Sequence, residues 1–573
     1  MAERLPKAPR HGGERIETTR ERVGGKQMPV LHLTRDSFFD PEYVQPDILE
    51  PGTVPWLLGR YRAELFPPWL MQGWRGEGRR GRSAWPAEVL MTLELLRWSE
   101  EGVTRLGAVK RAASDIRWRA ALGLELNGRT PCEKTLRDFE AFLRAPHPAC
   151  DRPRHLVFFE HCVRLCMASD VLSGAPRWAM DSTPMWCYGA VKDTVRLLGD
   201  GVAQLARLWS RATGVEISEL AAAWALPHLL AKSTKGAFRI DWRDQQARDT
   251  VIDGLARGVL TAVQAVRERM DQVAQSKRKR LLRLCRHLVC VITQNLQSDD
   301  HGRLVVAQRV ASERLISITD PQARHGHKSR KRSFDGFKLH ALGDVVSGLI
   351  TSLTVTRGNA HDGSMAHRLV RRAKRLYDEL TCVLGDSAYG GAALRHTLRT
   401  QQSVELVAPP LAPTAAKGKM GRDAIRIAFD TQQATCAADV TVGNPRRVFS
   451  REHQRDTWEY HWPREVCQRC PQREPCNGAR TAGHRIRLHP YEQQLREARA
   501  AWQQPATRDT YRERSQCERL LHRMVQHGAR KARAWSLAAA HLQAHCIAAM
   551  CNLGLLAKAL AQRALQPLQQ CAA

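Results

Sequence analysis

Acidic side chains are scarce in this sequence. Over 573 residues, 58 Asp and Glu face 89 Lys and Arg, which leaves a formal net charge of +31 and a pI near 10.1. Such a deficit of negative charge points to a polyanionic partner, with nucleic acid ahead of anionic membrane. Long apolar runs are missing as well. No window of eighteen apolar residues stands out, so no membrane span is expected. The opening stretch MAERLPKAPRHGGERIETTRER lacks the apolar centre of a signal peptide and reads as a disordered basic tail. Nor is there a dense disulfide framework. Sixteen cysteines are scattered through a large chain, a pattern that suits a reducing cytoplasm with metal binding as the local exception.

What the sequence does contain is organised around Phe334 to Gly391. Phe334–Leu342 and Val345–Val355 carry the alternation and β-branched content of paired strands, with a turn expected at Gly343-Asp344. Ser364–Leu380 places Leu369, Ala373, Leu376 and Leu380 on one helical face. Thr381–Gly385 is a short apolar run of the kind buried in a sheet centre, and Asp386 follows it. A carboxylate at the end of a central strand is a place where α/β sheets hold ligands, while a helix N-cap is the ordinary alternative. A second such position lies upstream, in RWAMDSTPMW: Arg177–Asp181 reads as a short strand ending on Asp181, with Pro184 stopping it.

Helices are expected through 60–150, at Pro86–Ser99, after Thr104, after Asp115 and at Glu133–Leu143, and again at 154–170. Arg75, Arg79, Arg80 and Arg82 lie among glycines just upstream, a basic segment suited to phosphate contacts. The bundle reads as a DNA-binding domain of helix-turn-helix type, against the plainer alternative of a helical cap on the core. A long helical insertion follows. Its run SKRKRLLRLCRH, with Lys277, Arg278, Lys279 and Arg280, reads as a backbone-tracking patch or a solvated helix face. A second run, with Lys328, Arg330, Lys331 and Arg332, leads directly into the strand pair.

After Asp386 come a helix, a short strand at Val404–Ala408 and a polar linker. Then comes Cys467-x2-Cys470-x5-Cys476, with Cys436 upstream. Two thiolates at Cys-x2-Cys spacing grip one tetrahedral Zn2+, and Cys476 with Cys436 can complete the four; His453 and His461 are alternatives for the last place. Beyond Pro505, Tyr511, Arg514 and Glu518 fall on one helical face. The ordinary reading of that stripe is an i,i+4 Arg514–Glu518 ion pair. Read together, Asp181, Asp386 and Glu518 form a three-carboxylate set of the type that holds two divalent cations roughly 3.5–4 Å apart for in-line phosphoryl transfer. Magnesium, or manganese, suits such an all-oxygen site.

The order of these motifs resembles a DDE transposase of a bacterial insertion sequence, in the branch with a Y-x2-R-x3-E signature helix. Tyr511-x2-Arg514-x3-Glu518 matches the signature, Asp181 in MDSTP the first catalytic aspartate and Asp386 in GDSAYGG the second. DPQARHGHKSRKRSFDGFKLH and TRGNAHD are similar to segments between the two aspartates. The helical region from GRSAWPAEVLMTLELLRW to KTLRDFEAFL and the cysteine cluster are similar to that branch too. Two positions depart from it. The lysine usual seven residues after the glutamate is Val525 here, with Arg523 or Lys531 as substitutes, and Ala437 rather than proline follows Cys436.

The resemblance implies an RNase H-like α/β core, a mixed sheet with helices on both faces. The segments expected are a basic lead-in (1–59), a helical N-terminal domain (60–170), the core (171–195 and 316–410), a helical insertion (196–315), a cysteine-containing insertion (411–490) and a C-terminal part of the core (491–573). It also implies cleavage of terminal inverted repeats and joining of 3′-OH ends to target DNA. Asp181, Asp386 and Glu518 would bind two Mg2+, supported by Tyr511 and Arg514. A homodimer on double-stranded DNA and a cytoplasmic, nucleoid-associated bacterial location go with it. The alternative is a catalytically inactive or repurposed DNA-binding protein derived from such an enzyme. A junction or repair nuclease of the same fold is a third reading.

Overall fold

A computed structural model describes residues 39–570 apart from 75–83, 173, 309–310, 330, 413–417, 452–453 and 478–482. Six strands form its central sheet. Trp178–Trp186 runs antiparallel to Arg332–Asp344 along its whole length. The other edge of Arg332–Asp344 is covered by Arg324–Ser329 and then by Ile350–Arg357, both antiparallel to it. On the opposite side Cys382–Leu384 runs parallel to Trp178–Trp186, and Glu405–Val407 runs parallel to Cys382–Leu384. An antiparallel meander continued by two parallel strands is the RNase H-like order.

Alternation along the strands feeds two cores. Trp178, Met180, Leu342 and Val383 pack with Leu369, Val370 and Ala373 of the helix Gly363–Lys374. Ala179, Leu339, Ala341 and Leu353 face the other way, into a cluster with Leu520, Ile547 and Met550. The sheet is therefore buried on both faces, and every residue of 350–355 is buried, Thr351, Ser352 and Thr354 included.

Three strand-level expectations need correcting. Gly343 and Asp344 are not the hairpin turn but the last residues of the strand; the chain reverses over 345–349, with Gly348 in the left-handed region at φ +79°. Asp344 holds that turn by accepting hydrogen bonds from Ser347 N (2.7 Å) and Ser347 Oγ (2.6 Å). Asp181 sits in mid-strand, opposite Ala341, and Pro184 lies inside the strand, opposite Lys338. Proline is accommodated because that edge has no strand neighbour there. Trp186 N, two residues on, points away from the Arg332–Asp344 strand and donates to Arg530 O, so the missing N–H of Pro184 faces the same open side.

The N-terminal helices form where expected, at Ala87–Ser99, Arg105–Ser114, Ile116–Leu122, Glu133–Arg144 and Arg154–Ala168. Thr104 and Asp115 cap two of them through Gly107 N, and through Arg117 N and Trp118 N. They share one core with the sheet and with the last helix, Leu537–Gln570, so the plainer reading of a helical cap describes their packing. The lead-in is also more ordered than its prolines suggest, since Thr53 caps a helix Val54–Arg60 whose Leu57 and Leu58 are fully buried. By length and composition one helix meets the membrane-span criterion, contrary to expectation. It covers Leu537–Arg563, and 67% of its most apolar window is buried inside the protein.

The insertion builds a core of its own from the helices Thr194–Thr213, Gln245–Glu268 and Gln275–Asn295. The cysteine-containing region is a small β lobe around Tyr460, Trp462 and Ile486.

Candidate active site

Parallel pairing aligns the first two carboxylates. Ala179 lies opposite Leu384, and Asp181 and Asp386 each follow two residues later. Strands about 4.8 Å apart therefore deliver both side chains to one place. Asp181 remains on a strand whose far edge has just become free. Asp386 has left its strand and caps the short turn Ser387–Tyr389, its Oδ1 accepting Ala388 N–H at 2.9 Å. The N-cap reading and the site reading of Asp386 are thus compatible.

Glu518 approaches from above. The segment from Pro505 to Ala529 winds as α-helix to Arg512, as a 3-10 turn over Glu513–Gln516, as α-helix over Cys517–Met524 and as a π turn over Val525–Ala529. Cys517, Leu520, Leu521 and Met524 are buried, which leaves Glu518 on the exposed side. The change of winding separates residues that a uniform α-helix would stack. Arg514 makes its ion pairs not with Glu518 but with Asp181 (3.0 Å) and Asp386 (4.0 Å). Tyr511 packs edge-on against Trp502, ring centroids 4.9 Å apart. Its phenol pKa is raised by burial, opposed by Arg514 and reinforced by Asp386 and Asp181.

Asp181, Asp386, Glu518 and Arg514 line one cavity of about 700 Å3. A fourth carboxylate, Asp362, is part of the same wall and was given no role from sequence. It closes the segment TRGNAHD and pairs with Lys338 Nζ at 2.8 Å, Lys338 projecting from the strand opposite Pro184. Burial pushes the Asp181 carboxyl up to about 6. Arg514 and the Ser182 amide oppose the rise, and Asp386 and Asp362 add to it. Beneath them Tyr389 is buried, its hydroxyl without a partner among the described residues. Its pKa is raised by burial first and then by Asp362, Asp181 and Asp386.

The remaining wall is cationic. Lys328 and His327 enter from the strand Arg324–Ser329, and Arg530 donates to Thr183 Oγ1 at 2.9 Å. Val525 lines the cavity as an apolar patch. Neither named substitute for the lysine serves here: Arg523 donates to Gly348 O at the hairpin turn, and Lys531 opens onto a neighbouring cavity. Arg530, just beyond the π turn, does line the cavity. The π turn, with Gly528 at φ +89°, reverses the chain just before it. Sequence spacing gives no hint of that reversal beyond the glycine.

Other expected contacts lie elsewhere. Arg79, Arg80, Arg82 and Arg330 fall outside the described residues. Lys331 and Arg332 are exposed at the turn before the long strand. Lys277, Lys279 and Arg280 are exposed on the insertion, away from this cavity, while Arg278 donates to Val273 O and Asp271 O next to its own helix. Cys436, Cys467, Cys470 and Cys476 converge on a cavity of about 230 Å3 that His484 also lines. The Cys476 thiol is raised by burial and by the other three. His461 is not in that wall, and His453 lies outside the described residues. Among the described residues, no three His, Cys, Asp or Glu side chains stand close enough together to form a metal-binding group.

Residues 308–553 match the family model described as the transposase DDE domain. The chain carries a DDE transposase domain. The matched span contains Asp386 and Glu518, whereas Asp181 lies upstream of it and joins through the sheet. The substrate class of such a domain is DNA. No curated protein and no solved structure matches the chain.

Proposed function

We propose that this transposase cuts the terminal inverted repeats of an insertion sequence and joins the freed 3′-OH ends to target DNA. The reading is carried by one observation: Asp181 and Asp386, aligned by parallel strands, share a cavity with Glu518, and Asp386 and Glu518 lie within the span matched to the DDE domain. The donor set fits hard divalent cations. It is all oxygen, and Asp181, Asp386, Asp362 and Glu518 bring four carboxyl groups to one wall, where Arg514 pairs with the first two. Asp181, Asp386 and Glu518 would hold two Mg2+ or Mn2+, with Asp362 alongside. Bound there, such ions polarise the attacking oxygen and stabilise the departing one. Arg514 orients Asp181, and Arg530, Lys328 and His327 face the phosphates on either side of the scissile bond. In the small β lobe the four cysteines line one cavity without forming a metal-binding group, and metal analysis of the purified protein checks whether they take up a structural Zn2+.

An end-labelled duplex carrying the element's own terminus tests the proposal. Altering groups that merely orient a metal ligand costs about 10–100-fold in affinity or activity. Asp181→Asn, Asp386→Asn and Glu518→Gln are therefore each expected to lower Mg2+-dependent cleavage and joining by more than about a hundred-fold, with DNA binding retained. Full activity in Asp386→Asn removes that residue from the site. Val525 favours a second reading, a DNA-binding protein without catalysis. It predicts salt-sensitive binding that is identical in wild type and Asp386→Asn, and no cleavage in either.

A further inference from the structure

Beyond the carboxylates, Trp178–Trp186 continues outward with a companion. Trp186 N donates to Arg530 O (2.9 Å) and Ala532 N donates to Trp186 O (2.8 Å), a parallel bridge that holds the 530–535 segment beside the strand end. The two lengths of chain expose three large aromatics, Trp186 at 40%, Tyr188 at 52% and Trp535 at 55%. Single exposed aromatics are unremarkable, but a group of three on adjoining chain is not the usual arrangement of a free surface. Tyr188 and Trp535 lie 5.7 Å apart at 59°, tilted rather than stacked, and each keeps about half of its surface exposed.

The cluster adjoins a second cavity of about 480 Å3, which Tyr188, Arg105, Lys531 and Arg533 line. Arg530 belongs to the walls of both cavities and joins them. Two of these cations are committed: Arg105 pairs with Glu140 and Glu133, and Arg533 donates to Val103 O while stacking on Trp98. Glu101 also lines the groove. Lys531 is exposed and lines this groove beside Arg530, which also lines the carboxylate cavity. Tyr188 is seven residues past Asp181, which keeps it within about 23 Å of the carboxylate cavity.

We infer that Tyr188 and Trp535, with Lys531 and Arg530, bind unpaired nucleotides of the DNA strand leaving the carboxylate site. The aromatic faces stack on bases and the cations follow the backbone. Duplex DNA offers phosphates to such a groove but keeps its base faces internal, so exposed rings beside exposed cations select for single-stranded character. The inference rests on the DNA-cleaving reading above, and its test separates the two.

The full chain is titrated, in buffer containing EDTA, with a blunt duplex and with duplexes of equal length bearing three unpaired nucleotides, one a 2-aminopurine, at either end polarity. The wild type is expected to prefer one unpaired end and to quench its fluorophore. Tyr188→Ala/Trp535→Ala is expected to lose the quench and at least about five-fold of that preference, while blunt-duplex affinity and thermal midpoint hold. Tyr188→Phe is expected to behave as wild type. Equal quenching in wild type and the double variant overturns the inference and leaves the DNA reading standing. A double variant that changes only the sedimentation of the protein also overturns it, and assigns the patch to contact between copies. If the wild type binds neither duplex, both readings fall.

Discussion

Arg530 shows how far a single side chain can matter when the chain around it bends. The expected lysine position is apolar, and a cation in the cavity wall comes from five residues later, beyond the π turn. A phosphate contact at this place contributes to the salt dependence of binding. Arg530→Ala is expected to lower the slope of log K against log salt by about 0.9 and to weaken DNA binding by a similar factor for all sequences. Arg530→Lys is expected to restore most of the slope. Fluorescence anisotropy across a salt series reads both. A slope unchanged in Arg530→Ala would place the residue outside the DNA interface.

Other single residues were legible to different degrees. Asp386 stood out because an apolar strand ends immediately before it. Asp181 was found for a partly wrong reason, since its strand runs on through Pro184 to Trp186. The proline signal is local, and only the pairing of that strand decides whether a missing N–H is felt. Asp362 and Arg530 left no periodic trace, because they reach the site through turns rather than along a helix or strand face.

Elements fared better where their pattern is local. The caps at Thr104 and Asp115 fixed helix starts that the structure reproduces. The hairpin was misplaced because Gly343-Asp344 looks like a turn while Asp344 in fact braces the turn that follows. Tyr511, Arg514 and Glu518 share one face only at constant α-helical pitch, and the 3-10 turn over Glu513–Gln516 breaks that pitch. Another element-level dependence joins the edge strand to the last helix. Asn552, fully buried, accepts from Ile350 N at 3.0 Å and donates to Ile350 O at 2.8 Å. Leucine there would leave both backbone groups without those partners. Asn552→Leu is expected to destabilise the protein by about 2–4 kcal/mol, with loss of one buried partner costing about 1–3 kcal/mol per group. Chemical denaturation measures it, and a change below about 0.5 kcal/mol would show that the clasp is redundant.

At the scale of the whole molecule, three histidines lie where the N-terminal helices meet the last one. His155 and His545 have ring centroids 4.8 Å apart, with His541 one turn from His545. Burial lowers His155 to about 3, helped by His541, Arg144 and Arg372, and lowers His541 to about 4, helped by Arg372 and Arg368. His545 is driven well below its ordinary value by burial and then by His155 and His541. All three are therefore neutral in the folded protein and take up protons on unfolding. The stability this provides is complete above pH 6.5 and is lost as pH falls through 6.5 toward about 4. Each such proton adds about 1.4 kcal/mol per pH unit to the slope. Denaturation midpoints between pH 7 and 4.5 should drop steeply, and His155→Phe should flatten the curve. An unchanged slope in that variant would mean that His155 titrates alike in both states. The charge balance of the sequence pointed to nucleic acid, but no pattern within single segments indicated this buried cluster. It forms only when helices nearly four hundred residues apart pack together.

That same separation governs when the candidate site is assembled. The strand bearing Asp181 leaves the ribosome long before its partner Arg332–Asp344, and Glu518 follows 337 residues after the aspartate. At about 5–20 residues per second, roughly 17–67 s pass between the first carboxylate and the last. Over that interval the insertion, with its own apolar centre, is free to fold, while the sheet waits with an open border. A message cut short before Glu518 yields a chain without the third carboxylate, so the candidate site is complete only once synthesis is nearly over.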